Sequence, residues 1–102
     1  MKFEETNEGD TVILKLQGKL LLGETEELGK KVDELVAAGK NRISLDMSGV
    51  PYMDSAGLGQ ITRCYTTVRR HDGKLVLVNI PKKIRELLSV TRLLDILEGK
   101  SA

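Results

Sequence analysis

The sequence predicts one α/β domain, a mixed and mostly parallel β-sheet with an antiparallel strand at its N-terminal edge, packed against α-helices. Three observations carry this expectation. Apolar residues alternate with a period of two at 11–17 and then recur with a helical period at 24–38. Strand and helix patterns succeed one another again through 42–47, 58–68, 74–78 and 84–88, giving the order β-β-α-β-α-β-α-α. Such alternation builds a sheet with a parallel centre and right-handed crossovers. Finally, the 102 residues contain no repeat, linker or low-complexity stretch, so residues 1–102 are expected to form a single domain.

The elements follow in order. Residues 2–7 hold Phe3 as their one large apolar residue and precede the turn-forming Glu8-Gly9-Asp10, so they read as the outer strand of a hairpin. In T-V-I-L-K-L-Q, residues 11–17, Val12, Leu14 and Leu16 fall on one side of the second strand. Over 24–38, Leu28, Val32, Leu35 and Val36 mark one buried helical stripe. Glu24, Glu26 and Glu27 suit the positive end of that helix, and Gly39 stands where a left-handed residue ends it. R-I-S-L-D-M at 42–47 is a short strand and S-G-V-P a loop. Helical spacing returns with Leu58, Ile61, Tyr65 and Val68 and stops near His71-Asp72-Gly73. K-L-V-L-V at 74–78 is almost continuously apolar, which predicts a central strand covered on both faces. Pro81 suits the first position of a helix whose stripe is Ile84, Leu87 and Leu88. Thr91 is placed to cap a short closing helix that buries some of Leu93, Leu94, Ile96 and Leu97.

Composition narrows the function. Sixteen Lys and Arg against fifteen Asp and Glu give a formal charge of +1, without the basic excess of a nucleic-acid partner. Three aromatics (Phe3, Tyr52, Tyr65) make no base-stacking platform. One cysteine, Cys64, forms no internal disulfide, and with one histidine it builds no usual zinc site. No segment approaches the roughly 18–20 apolar residues of a membrane span, and the first ten residues lack the apolar core of a signal peptide. We therefore expect no metal or cofactor, no nucleic acid, no direct membrane insertion, and a cytoplasmic location.

The stretch Y-M-D-S-A-G-L-G at 52–59 carries the chemistry. As a hydrolase elbow it fails on two counts: Met53 occupies the first glycine position of G-x-S-x-G, and no base is near. The single histidine, His71, is sixteen residues further along the same helix. It would lie about 24 Å away, against ~3 Å for proton transfer. As a phosphate loop it is also incomplete, since position 62 is Thr where G-x-G-x-x-G needs glycine, and no G-K-[ST] occurs. No catalytic residue is assigned. Asp54 or Ser55 is a good helix cap, and the glycines permit a tight turn.

The longer segment D-M-S-G-V-P-Y-M-D-S-A-G-L-G at 46–59 resembles the signature of the STAS family, the anti-sigma factor antagonists. L-Q-G-K-L at 16–20, G-K-L-V-L-V at 73–78 and L-L-S-V-T-R-L-L-D-I-L at 87–97 are also similar to that family's pattern, so the resemblance spans nearly the whole chain. Two positions depart from it. Leu21 stands where members often have an acid, and Ala56 where many carry a second hydroxyl, leaving Ser55 as the only hydroxyl of the immediate motif.

The resemblance implies a non-enzymatic binding domain. Its unmodified form would bind an anti-sigma factor, usually also a serine kinase, and free a sigma factor. Phosphorylation at Ser55 would inactivate it and a serine phosphatase would restore it. The partner surface would comprise Asp54, Ala56 and Gly57 with Gln60, Arg63 and Thr67 of the following helix, at helical spacings opposite the apolar stripe. Leu21 and Leu22 would add an apolar contact or simply continue the strand. Arg69, Arg70, Lys82, Lys83 and Arg85 read as solvated charge. Two other readings share the sequence: a STAS subunit docked on a membrane transporter such as a lipid-transport ABC complex, and a small serine hydrolase using Ser55, against which the missing base stands.

Overall fold

In the computed structural model, which describes residues 1–99, the chain starts as a hairpin of β1 (Lys2–Glu8) and β2 (Thr11–Gln17). Their antiparallel register runs from Lys2 opposite Gln17 to Glu8 opposite Thr11, with Gly9 left-handed at the turn. Then follow α1 (Glu26–Ala37), β3 (Arg42–Gly49), α2 (Ser55–Arg70), β4 (Lys74–Val78), α3 (Lys82–Val90) and α4 (Leu94–Leu97). The sheet order is β1-β2-β3-β4, with β2, β3 and β4 parallel. Leu14, Leu45 and Leu77 stand side by side across the three parallel strands. The expected single α/β domain, mixed sheet and element order are all present.

Burial shows why the strands sit this way round. Val12, Leu14 and Leu16, Ile43, Leu45 and Met47, and Leu75 and Leu77 are buried, while the residues between them are half-buried or exposed. A period of two thus turns one face of the sheet into the core. The helices close over it with Leu28, Val32, Leu35 and Val36 of α1, Ile61, Cys64 and Val68 of α2, Ile84 and Leu88 of α3, and Leu97 of α4. Gly39 ends α1 at φ 82°, as expected of a left-handed terminator.

Four expectations need correction. β4 is an edge strand, and only Leu75 and Leu77 are fully buried; Val76 and Val78 are half-covered. On its other face Val76 lies beside the chain just after α4: a Cβ at Gly99 would stand 3.1 Å from Val76 Cγ1. Pro81 precedes the first residue of α3 by one place, in extended conformation. Thr91 ends α3 and does not cap the first turn of α4: its hydroxyl donates to the Leu88 carbonyl at 2.7 Å and accepts from Leu93 N, just before α4, at 3.4 Å, and α4 starts after Leu93 without a side-chain cap of its own. Glu24 lies before α1, whose first turn holds Glu26 and Glu27.

Candidate functional site

The site forms where β2 and β3 run past their formal ends together. Gly18 N donates to Gly49 O at 3.1 Å, Leu20 N to Tyr52 O at 3.1 Å, and Asp54 N to Leu20 O at 3.2 Å. Leu20 and Met53 form a parallel bridge, and both side chains are buried. This extension delivers residues 20–22 and 52–55 to the same end of the sheet, beyond the carboxyl ends of the parallel strands.

Asp54 joins the two segments. Its backbone is extended, its Oδ1 accepts from Gly57 N at 3.0 Å as the cap of α2, and its Oδ2 accepts from Leu22 N at 3.0 Å. These two N–H donors, Leu22 first and then Gly57, hold its carboxyl below the usual aspartate value. Gly57 is buried against the neighbouring segment: a Cβ there would lie 2.3 Å from Leu20 O and 2.6 Å from Met53 Cγ. The glycine therefore lets α2 start hard against the β2 extension.

Of the two candidate caps, the structure uses Asp54. Ser55 is the first residue of α2, exposed, and its hydroxyl makes no hydrogen bond among the described residues. Ala56 beside it is half-buried. No base approaches Ser55 from the histidine: His71 lies just past the far end of α2, its Nδ1 2.8 Å from Thr67 O. Among the described residues no His, Cys, Asp and Glu side chains group to hold a metal ion. No helix of the described chain is long and apolar enough to cross a membrane.

The structure distributes the remaining candidates unevenly. Leu22 is 81% exposed beside Asp54, whereas Leu21 is half-buried and its carbonyl accepts from Glu24 N at 2.9 Å. Gln60 lies in the seam with α1, made close by Gly29: with its amide oxygen turned inward it accepts from Gly29 N at 3.2 Å and Arg63 Nη1 at 3.3 Å. Arg63 reaches across the same seam to Asp33 at 3.2 Å. Thr67 is half-buried and its carbonyl faces His71. The outward line of α2 is therefore rotated from the expected one, because α1 covers the flank that bears Gln60. Exposed residues on that line are Ser55, Gly59, Arg63, Thr66 and Arg70. At 3.6 residues per turn they fall within about 80° of one another. Gly59, Thr66 and Arg70 were not anticipated, although steps of four and three from Ser55 lead to all three.

The sequence matches the STAS domain family over residues 3–101. An anti-sigma-B factor antagonist of Listeria monocytogenes is 34% identical over 59 residues, covering 58% of this chain and 52% of that protein, so the chain spans about half the length of this relative. The crystal structure of a Thermotoga maritima protein regarded as a candidate anti-sigma factor antagonist superposes with a TM-score of 0.86 at 31% identity, over 94% of this chain and 83% of that one. The Bacillus cell-fate determinant SpoIIAA in its phosphorylated form superposes with a TM-score of 0.74 at 20% identity, over 95% and 88%, a likeness of fold.

Proposed function

We propose that this chain, which belongs to the STAS domain family, is an anti-sigma factor antagonist whose partner binding is switched by phosphorylation of Ser55. One observation carries the reading. Asp54 performs the capping, so the exposed Ser55 hydroxyl has no structural duty and is open to a kinase. In the unmodified state the chain binds an anti-sigma factor through the Asp54–Gly57 turn and the outward line of α2, with Leu22 as an apolar contact beside it. That partner is also a serine kinase and brings ATP and Mg²⁺.

The chemistry on this chain is confined to one oxygen. Ser55 Oγ forms a bond to the γ-phosphorus, the bond to ADP breaks, and the hydroxyl proton passes to the kinase. The product carries about −1.5 to −2 charge and three strong acceptors. At a helix N-terminus that charge meets the positive end of the dipole and N–H groups, which favours keeping the helix. The Asp54 carboxylate beside it opposes part of this gain. A partner seated on unmodified Ser55 would instead bury an unpaired dianion, at a cost of several kcal/mol. Each 1.4 kcal/mol is tenfold in affinity, so release follows. A serine phosphatase returns the hydroxyl by hydrolysis.

The test is incubation with ATP and the serine-kinase anti-sigma factor of the same genome, with the phosphate located by mass spectrometry. Modification at Ser55 is expected, along with loss of binding. No phosphate at Ser55, together with undiminished partner binding by Ser55→Asp, would sink the switch.

A further inference from the structure

The two glycines of D-S-A-G-L-G have different standing in the fold. Gly57 is required by the close approach of Leu20. A Cβ at Gly59 would meet nothing within 4 Å, and its φ lies outside the left-handed range. Gly59 is the fifth residue of a sixteen-residue helix and is exposed. Glycine in a helix interior is less stable than alanine, so the fold by itself gains nothing from it. Its place one turn beyond Ser55, on the same outward line, leaves a notch in the helix surface beside the phosphorylation site proposed above.

Charge marks the other end of the line. The sequence of α2, S-A-G-L-G-Q-I-T-R-C-Y-T-T-V-R-R, contains no acidic residue. Arg63 is occupied by Asp33, whereas exposed Arg70 has no acidic partner among the described residues. The line therefore offers an uncharged notch at its start and an unpaired cation at its end.

We propose that Gly59 is the point of closest approach for the partner: a segment of the anti-sigma factor lies along α2 with its main chain over Gly59 and a carboxylate side chain at Arg70. This rests on the binding role proposed above and specifies how that contact is made. Removing Cβ at Gly59 lets a main chain come near enough to cover the Ser55 hydroxyl. A side chain at 59 would hold the partner off while leaving this domain's own packing untouched.

The experiment measures thermal stability and affinity for the serine-kinase anti-sigma factor in Gly59→Ala, Gly59→Leu and Arg70→Glu. Gly59→Ala is expected to raise Tm by roughly 2–8 °C, as helix propensity alone dictates. It should also weaken binding by about tenfold, equivalent to 1.4 kcal/mol, and Gly59→Leu should weaken it further. Arg70→Glu should weaken binding at low salt and reduce its salt dependence. A fall in Tm for Gly59→Ala would assign the glycine to folding and overturn the proposal. So would wild-type affinity in both Gly59 variants, and wild-type affinity in Arg70→Glu would overturn the acidic contact. If the wild-type chain binds no anti-sigma factor, the binding role itself falls and the close approach with it, an outcome distinct from wild-type binding that Gly59 substitutions leave unchanged.

Discussion

The carboxylate of Asp54 accepts the backbone N–H of Leu22 at 3.0 Å, thirty-two residues away in sequence, while its other oxygen caps α2 at Gly57. The same charge thus holds the β2–α1 loop and the helix start. Both bonds lower the carboxyl's pKa in the fold below its ordinary 3.8. A depressed folded pKa adds stability that is fully present above the unfolded value and is lost as pH falls through the folded one. Asp54→Asn should therefore have a lower Tm than the wild type at neutral pH, with the gap closing as pH drops from about 4 toward 2. Glu5, bound to Lys31 at 2.9 Å, is lowered as well; at Asp46 burial acts upward, yet bonds led by those from Ser48 bring it down. Both variants will therefore remain acid-sensitive, and the observable is the difference between their Tm curves. A gap that stays constant over this range would show that the Asp54 charge does not contribute.

Gly57→Ala should destabilise the domain. Its Cβ would fall 2.3 Å from Leu20 O, 2.6 Å from Met53 Cγ and 2.8 Å from Leu20 Cβ. Leu20 O cannot retreat without disturbing the bond it accepts from Asp54 N at 3.2 Å. Overpacking of this kind costs about 1–3 kcal/mol, and about 1 kcal/mol moves Tm by roughly 4–8 °C in a domain of this size. Calorimetry should show a fall of at least about 4 °C. An unchanged Tm would mean the β2 extension and α2 are not held this tightly.

Cys64 should be inert in the folded protein. It is 1% exposed, and burial pushes its thiol up to about 12, with the nearby Arg63 opposing only in part. The thiolate is the reactive species, so a disulfide reagent at mildly alkaline pH should label the native chain very slowly. One thiol per chain should react promptly in guanidinium chloride. Rapid labelling under native conditions would contradict the buried position.

What the sequence revealed and concealed follows from the range of the interactions. The hairpin around Gly9, the bounds of β2 and β4, and the end of α1 at Gly39 depend on local periodicity and turn residues, and all were legible. The edge position of β4 was not, because K-L-V-L-V looks the same whether a second layer covers its other face or only the chain at Gly99 approaches it. Thr91 was ambiguous for a similar reason: a hydroxyl between two helices can serve either, and it donates back to Leu88 O while accepting only from Leu93 N, before α4 begins. At the site, Asp54 and Ser55 were equal candidates for the cap. The deciding contact, Leu22 N, comes from a distant segment. By spacing alone Gln60 faces outward, but α1 packs over it, and the residue that admits the close packing, Gly29, sits unobtrusively beside Leu28 in the stripe of α1.

Ser55 gives the sharpest separation between fold and switch. Its hydroxyl is exposed and makes no hydrogen bond among the described residues, so Ser55→Ala removes no native interaction. Exposed substitutions of this kind stay within about 0.5 kcal/mol, so the Tm should be nearly that of the wild type. Ser55→Asp and the phosphorylated chain place negative charge at the start of α2, where the helix dipole favours it and the Asp54 carboxylate opposes it. Circular dichroism should therefore show the same helix content in all four species, while binding to the anti-sigma factor is kept by Ser55→Ala and lost by the other two. A large drop in helix signal on phosphorylation would show that the switch acts by melting α2. Phosphorylated chain that binds as tightly as unmodified chain would show that charge at Ser55 does not turn the partner away.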